Sequence, residues 1–363
     1  MVDCKMKKIL CLIDSIGPGG AQRQLVGLAT FLKECGYEIT VLCYHDNSFY
    51  LEQLQRNDIP YFYLEKAQNA IFRIWHIARY MRKNKPDVVI SYLETPSICA
   101  CVAKFFNRSF KLIVSERSTT QHTGRNERIR FNLFRVADYV VPNAYSQKKY
   151  IIDHFPTLTN KTITIPNFVD LDYFTPVYKQ RRYIPEIMVA ASIWALKNTL
   201  GFIDAVYLLK EKGLQFHISW YGNNNEHIEY INKCQEKIDE YGVGDYITLK
   251  DKTTQIKKCY QEADFFCLPS FYEGTPNVIC EAMACGLPIA CSNVCDNGLY
   301  VVDEENGYLF DPKDKNSMAD AMEKMLSLDK DGYDNYSKAS RARAEAMFSN
   351  KRFLELYINL IET

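Results

Sequence analysis

Apolar and polar positions follow two periods along this chain, and the order in which those periods succeed one another predicts its architecture. Residues 8–14, Lys-Ile-Leu-Cys-Leu-Ile-Asp, form the near-continuous apolar run of a strand buried on both faces. A glycine-rich turn follows, Gly17-Pro18-Gly19-Gly20-Ala21-Gln22, and then a helical pattern through Leu25, Leu28, Ala29 and Leu32. Further strands are expected near 38–45, 61–64, 87–92, 111–114, 138–142 and 162–166, with helical stretches between them. Strand and helix taking turns predicts a doubly wound parallel sheet. Past a polar run at 178–183 the alternation starts again, with strands near 186–193, 215–221, 246–249 and 264–268 and helices at 199–212 and 226–241. Two doubly wound halves are therefore expected, over residues 1–177 and 183–347. Helical stretches at 317–328, 333–346 and 351–361 close the chain.

The densest chemistry lies in the run Tyr272-Glu273-Gly274-Thr275-Pro276-Asn277-Val278-Ile279-Cys280-Glu281-Ala282-Met283-Ala284-Cys285-Gly286-Leu287-Pro288. It predicts a helix over 276–285, with the Thr275 hydroxyl as cap, Pro276 in the first helical position and Gly286 as a left-handed stop. Val278, Ile279, Ala282 and Met283 form an apolar stripe, and Glu281 falls at its edge, where it could face a cleft. A helix N-terminus suits a phosphate, and a carboxylate accepts well from two neighbouring sugar hydroxyls. One such helix end flanked by Glu273 and Glu281 suits a phosphate held between two sugars, the layout of a nucleotide sugar. The plainer reading of the spacing alone is a capped helix with two solvated glutamates.

Composition narrows the classes. The chain has 363 residues, 44 basic against 44 acidic, so no global basic field favours nucleic acid. Its 13 cysteines sit mostly inside apolar runs and read as free thiols of a reducing cytoplasm. Cys280, Cys285, Cys291 and Cys295 are too irregularly spaced for a metal site and read as small buried hydrophobes. The first eight residues lead into a strand rather than a signal-peptide core, and no apolar run reaches the roughly 18 residues of a membrane span. Residues 71–83 mix aromatics with Arg73, Arg79, Arg82 and Lys83; they fit either a helix packed on the sheet or a segment lying on a membrane surface. Gln22 stands where a dinucleotide fingerprint needs glycine, which sets aside NAD. Asp170-Leu171-Asp172 spells an Asp-x-Asp, but at a domain junction it is not read as a metal site. Ligands of doubly wound sheets bind at the C-terminal strand ends, which places Gly17–Gln22, Glu94 and Ser115-Glu116-Arg117-Ser118 on the working rim. Glu116 there reads equally as an acceptor or base and as a surface ion pair with an arginine.

The run 272–288 closely resembles the Glu-x7-Glu motif and following Ala-Met-Ala-x-Gly-x-Pro segment of glycosyltransferase family 4, retaining enzymes that use nucleotide sugars and have the GT-B fold. Gly19-Gly20-Ala21 resembles that family's N-terminal loop, and 165–174 its Asn-x-Val-Asp-x-x-x-Phe segment. Ala191-Ser192-Ile193-Trp194-Ala195-Leu196-Lys197-Asn198 resembles its Gly-Arg-Leu-x-x-x-Lys-Gly/Asn segment, with Ser192 in place of the arginine. Residues 292–297 and 305–310 resemble its closing loops. The resemblance implies an α/β protein of two facing Rossmann-like domains with the donor cleft between them, the last helix, about 348–363, packing back on the first. It implies Glu273 and Lys197 as catalytic residues. Donor contacts would come from Gly19, Gly20, Lys197, Asn198, Gly222, Glu273, Gly274, Thr275, Pro276, Asn277, Val278 and Glu281. Within that set Lys197 and the 275–278 amides would meet the diphosphate, Glu273 the donor sugar and Glu281 the ribose. Glu116 and Arg117 take the acceptor side; where many members carry histidine this chain has that pair, so no histidine role is transferred. The implied reaction needs no metal or cofactor and moves a sugar from a nucleotide sugar, UDP ranked ahead of GDP, to a saccharide or lipid-linked acceptor in surface-polysaccharide synthesis. It would take place in the cytoplasm, with peripheral contact at the inner membrane face left open. A GT-B nucleotide-sugar epimerase and a catalytically silent sugar-nucleotide-binding protein are the alternatives.

Overall fold

The computed structural model describes residues 6–67, 69–117, 120, 122–177, 181–223 and 226–363. Ser118 of the rim loop and 178–180 of the polar linker lie outside the described residues.

The first compact unit comprises Met1–Phe168 and Lys351–Thr363. Its elements run β1 Lys8–Leu12, α1 Gly20–Glu34, β2 Glu38–Cys43, α2 Leu51–Arg56, β3 Tyr61–Tyr63, α3 Ala70–Asn84, β4 Val88–Tyr92, α4 Glu94–Phe106, β5 Lys111–Glu116, α5 Arg125–Leu133, β6 Tyr139–Pro142 and α6 Tyr145–His154. The strands form one sheet in the order β3-β2-β1-β4-β5-β6, and every pairing is parallel. Alternate residues of β1 serve opposite faces, as a period of two requires. Ile9 and Cys11 pack with Leu25, Leu28 and Leu32 of α1 and with Phe353, Tyr357, Leu360 and Ile361 of the C-terminal helix, Asn350–Glu362. Leu10 and Leu12 pack with Ile77 and Met81 of α3 and Cys99 and Ala100 of α4. Each such fully buried aliphatic side chain contributes about 1.5–3 kcal/mol. The seventh strand expected at 162–166 is not one. Ile163 and Ile165 donate to the carbonyls of Val140 and Pro142, but Pro166 has no amide to extend the ladder and only one isolated bridge forms, Val140 with Thr162.

The second unit is Val169–Asn350. It runs β7 Glu186–Ala190, α7 Thr199–Glu211, β8 His217–Asn223, α8 Ile228–Tyr241, β9 Ile247–Asp251, α9 Ile256–Glu262, β10 Phe265–Leu268, α10 Asn277–Ala284, β11 Ile289–Ser292, α11 Asn297–Tyr300, β12 Gly307–Phe310, α12 Lys315–Leu326 and α13 Lys330–Phe348. Its sheet order, β12-β11-β10-β7-β8-β9, repeats the winding of the first, with all pairings again parallel. The first unit ends at Phe168 rather than near 177. The reason is packing: Val169 donates to the Phe348 carbonyl at 2.9 Å, and Val169 and Phe174 join the core around Met283 and Phe266.

No helix among the described residues is long and apolar enough to cross a membrane. Burial pushes the Cys11 and Cys285 thiols up to about 12, so both stay protonated and inert at neutral pH.

Candidate active site

The site of the second unit is assembled by two loops, one after β7 and one after β10. Beyond β7, Ala195–Lys197 makes a single 3-10 turn that ends at Asn198 in the left-handed conformation, φ 58°. Asparagine tolerates that geometry, and its buried side chain donates to the Pro312 carbonyl at 2.7 Å, which fixes the turn. The backbone of Phe271 donates to the Leu196 carbonyl at 2.9 Å and ties the second loop to the first. Lys197 Nζ then donates to Glu273 Oε1 at 2.5 Å. Two residues 76 positions apart thus form one ion pair, and with side-chain exposures of 23% and 11% it stays reachable without being freely solvated.

Behind Glu273 stands α10. It starts at Asn277, one residue later than expected, because Pro276 is its cap with ψ at 100°. Thr275 precedes that cap, with its hydroxyl 3.5 Å from that of Tyr300. Asn277 and Val278 form its first turn, which carries the positive end of the helix dipole. Gly286, at φ 74°, ends the helix as expected, donating to the Met283 carbonyl while Leu287 donates to that of Ala282. Glu281 is not at an open edge. It is 4% exposed, and Tyr260 donates its hydroxyl to Oε2 at 3.1 Å.

Gly222 is the penultimate residue of β8, where the loop after β7 crosses it. A Cβ there would lie 1.8 Å from the Ala191 carbonyl oxygen, the same oxygen that accepts from Trp220 Nε1 at 2.8 Å. Neither backbone nor indole has room to give. Gly222→Ala is expected to destabilise the second unit by about 3 kcal/mol, read as a lower urea midpoint. A midpoint equal to the wild type would show that the loop yields.

Two residues escaped the sequence reading. Cys295, grouped above with the buried hydrophobes, is partly exposed and left-handed at φ 49°. A non-glycine residue in that region costs roughly 1 kcal/mol and persists only where its surroundings hold it. The turn-forming Asp296-Asn297-Gly298 beside it was the available signal. Trp194, just past the vacant arginine position at Ser192, stacks on His227 with ring centroids 5.2 Å apart and planes 12° apart.

In the first unit, Gly19 is the extended cap of α1 and Gly20 its first residue; Arg23 donates to the Gly19 carbonyl at 2.9 Å. The rim residues of β5 turn inward. Glu116 is 1% exposed and lies 3.6 Å from Arg130 Nε, so the expected surface ion pair is a buried one. Arg130 also holds Glu94 and Thr120, at 2.9 and 2.8 Å. Arg117 donates from Nε to Ser115 Oγ at 2.7 Å, from Nη1 to Asn167 Oδ1 at 2.7 Å, and from Nη2 to the hydroxyls of Tyr92 and Tyr357 at 2.7 and 2.8 Å. Four of its five N–H groups are engaged inside the unit, and the guanidinium lies 4.2 Å over the Tyr92 ring.

Sequence-family comparison decides what carries this geometry. Residues 18–173 match the model described as Glycosyltransferase Family 4, and residues 184–328 that described as Glycosyl transferases group 1. The chain belongs to glycosyltransferase family 4. This glycosyltransferase is similar, at 26% identity over 89% of each chain, to a Campylobacter jejuni protein named GalNAc-alpha-(1->4)-GalNAc-alpha-(1->3)-diNAcBac-PP-undecaprenol alpha-1,4-N-acetyl-D-galactosaminyltransferase. Its fold is that of a glycosyltransferase from Rickettsia africae, with a TM-score of 0.86 at 17% identity over 99% of this chain and 98% of the other. The Anabaena protein HepE, crystallised in complex with UDP, gives 0.85 at 18% identity over 98% and 99%. The fold of this glycosyltransferase is accordingly GT-B.

Proposed function

We propose that this glycosyltransferase moves a sugar from a UDP-sugar to a lipid-linked saccharide, with retained anomeric configuration, in the synthesis of a surface polysaccharide. The observation that carries the reading is the Lys197–Glu273 ion pair on the loop that leads directly into α10. An entering diphosphate meets a compact ammonium and helix amides, a preorganised positive site for the charge that develops as the sugar–phosphate bond breaks. Lys197 then neutralises the diphosphate together with the backbone amides of Thr275, Asn277 and Val278, and Glu273 accepts from the donor sugar's hydroxyls. Glu281, steadied by Tyr260, accepts from the ribose. Gly274 keeps the approach free of a side chain, Gly222 lets the loop after β7 cross β8 closely enough to present its backbone to the donor, and Asn198 holds the lysine's turn. In the first unit, Gly19 and Gly20 are donor contacts, and Glu116 and Arg117 act on the acceptor side.

In the transfer itself the acceptor oxygen attacks the anomeric carbon from the face the phosphate leaves. The carbon–oxygen bond to the diphosphate breaks, and the departing phosphate oxygen takes the acceptor's proton. Positive charge comes from Lys197 and the helix tip, so this reading assigns no metal. The named substrate of the Campylobacter relative, an undecaprenol diphosphate saccharide, supports the lipid-linked acceptor, and the UDP complex of HepE supports the base. Such an acceptor places the reaction at the cytoplasmic face of a membrane.

The donor is tested by thermal unfolding with UDP-, GDP- and ADP-sugars. A ligand at about a hundred times its Kd adds about 2.7 kcal/mol of stability, so the UDP sugar is expected to raise the melting temperature of the wild type and not of Lys197→Met. A shift by GDP- or ADP-sugars alone would overturn the choice of base, and an equal shift in both proteins would overturn the role of Lys197. Donor consumption without an acceptor would favour an epimerase, and binding without turnover a silent binding protein.

A further inference from the structure

We propose that Glu94, on the rim of the first unit where the chain leaves β4, is a specificity-determining contact for the acceptor saccharide. Its carboxylate accepts hydrogen bonds from two neighbouring hydroxyls of a neutral sugar and turns away sugars that carry a carboxylate of their own. The inference rests on the transferase reading and deepens it by naming the residue that meets the acceptor.

The winding of the sheet points to the place. β1 and β4 are parallel neighbours, yet the helices that follow them leave for opposite faces, α1 to the side of Ile9 and Cys11 and α4 to the side of Leu10 and Leu12. Where adjacent strands send their chains opposite ways, a crevice opens at their carboxyl ends, and ligands of doubly wound sheets bind in it. The second unit has the same divergence between β7 and β10, with α7 in one core and α10 in the other. The loops that leave those two strands carry Lys197 and Glu273. Their counterparts in the first unit are the loop at 13–19 after β1 and the single residue Leu93 after β4, which is followed at once by Glu94. Register pairs Leu12 with Ser91, so β1 and β4 end level with one another.

Glu94 is built to present one oxygen there. Glu116 and Arg117 are turned inward, whereas the Glu94 side chain is 47% exposed. Its Oε2 accepts from Arg130 Nη1 at 2.9 Å, and its Oε1 accepts from none of the described residues. Arg130 is buried and is itself held by the Thr120 hydroxyl and the Glu116 carboxylate. One carboxylate oxygen is thus pinned by a fixed cation and the other is aimed outward before any ligand arrives, which lowers the ordering cost of binding. The backbone is bent to allow this: Leu93, the cap of α4, has φ 74° and ψ 165°, a region that glycine enters freely and a leucine does not. Strain of that kind gathers at ligand sites. Asp14, the other carboxylate of the two loops, is turned back onto its own loop, with Oδ1 accepting from the Ser15 amide at 2.6 Å and Gln22 Nε2 at 3.2 Å. The outward oxygen of Glu94 has two lone pairs, enough for two adjacent hydroxyls, and a charged acceptor makes those bonds strong. A uronic acid would set like charge against it, so the same group also rejects.

The test measures binding without turnover, by saturation-transfer NMR of the full chain. Its probes are the methyl α-glycosides of N-acetylgalactosamine, N-acetylglucosamine, galactose and glucuronic acid. The wild type is expected to bind at least one of the three neutral glycosides and to refuse the glucuronate. Glu94→Gln should weaken the neutral glycoside about tenfold and admit the glucuronate. Glu94→Asp, one methylene shorter with its charge kept, should weaken the neutral glycoside yet still refuse the glucuronate, and it carries the test if Glu94→Gln lowers the melting temperature. In both variants the rise in melting temperature given by the UDP-sugar should stay that of the wild type. A wild type that binds no neutral glycoside, or binds the glucuronate as well as the others, would overturn the assignment, as would equal affinities in wild type and Glu94→Gln. A UDP-sugar that fails to shift the melting temperature, with the glycoside pattern as expected, would remove the donor reading and leave Glu94 in place.

Discussion

Glu273→Gln lowers kcat by about 10²- to 10³-fold while unfolding stays close to wild type. The substitution keeps shape and removes charge. The carboxylate is the partner of Lys197 Nζ at 2.5 Å and the proposed acceptor for the donor's hydroxyls. An amide still accepts one hydrogen bond, but it neither orients the ammonium as strongly nor strengthens with charge developing on the sugar. Little stability is at stake, because a pair with side-chain exposures of 23% and 11% is partly screened by solvent. Lys197→Met should lose a comparable factor, and the double variant less than the product of the two, since both act through one pair. Initial rates at saturating donor, with melting curves on the same samples, check this. A Glu273→Gln enzyme turning over at the wild-type rate would detach the pair from the chemistry.

Arg117→Met is expected to destabilise the first unit by about 3 kcal/mol. The guanidinium satisfies the Ser115 hydroxyl, the Asn167 side chain and the hydroxyls of Tyr92 and Tyr357, the last on the C-terminal helix. Tyr92 and Tyr357 also bond one another at 2.8 Å, both fully buried. Methionine fills part of the space and leaves these polar groups with fewer partners away from water. The helix keeps its apolar contacts through Phe353, Leu360 and Ile361, so it should loosen rather than detach. Urea unfolding reads the loss, and hydrogen exchange over 350–362 locates it. Unchanged exchange there would show that Arg117 does not clamp the helix.

Sequence patterning carried the element types because buried parallel strands and amphipathic helices have different periods, as β1 and α1 show. It could not carry strand order, since an alternation of strands and helices is compatible with several windings, nor the exact start of α10, where a proline can either cap a helix or open it. The candidate site was legible in part. Glu273 and Lys197 stood out through the resemblance, whereas their direct contact depends on a backbone bond between Phe271 and Leu196 that no spacing reveals. Glu116 and Arg117 looked like rim residues because they end a strand. Their inward turn depends on partners at Arg130, Asn167 and Tyr357, far away in sequence. Glu281 sat at the border of its helix's apolar stripe, and Tyr260 on a separate helix converts that border into interior. Cys295 was hidden by its residue type: a cysteine grouped with buried thiols looks like filling, and the turn-forming 296–298 beside it was the cue to its positive φ.

The central claim is tested most directly by the product itself. An α-configured UDP-sugar is incubated with the enzyme and a lipid-linked saccharide acceptor, and the anomeric configuration of the new linkage is read by NMR. The account predicts an α linkage, formed only when acceptor is present and lost in Glu273→Gln. A β linkage, or the same α product at full rate from Glu273→Gln, would contradict it.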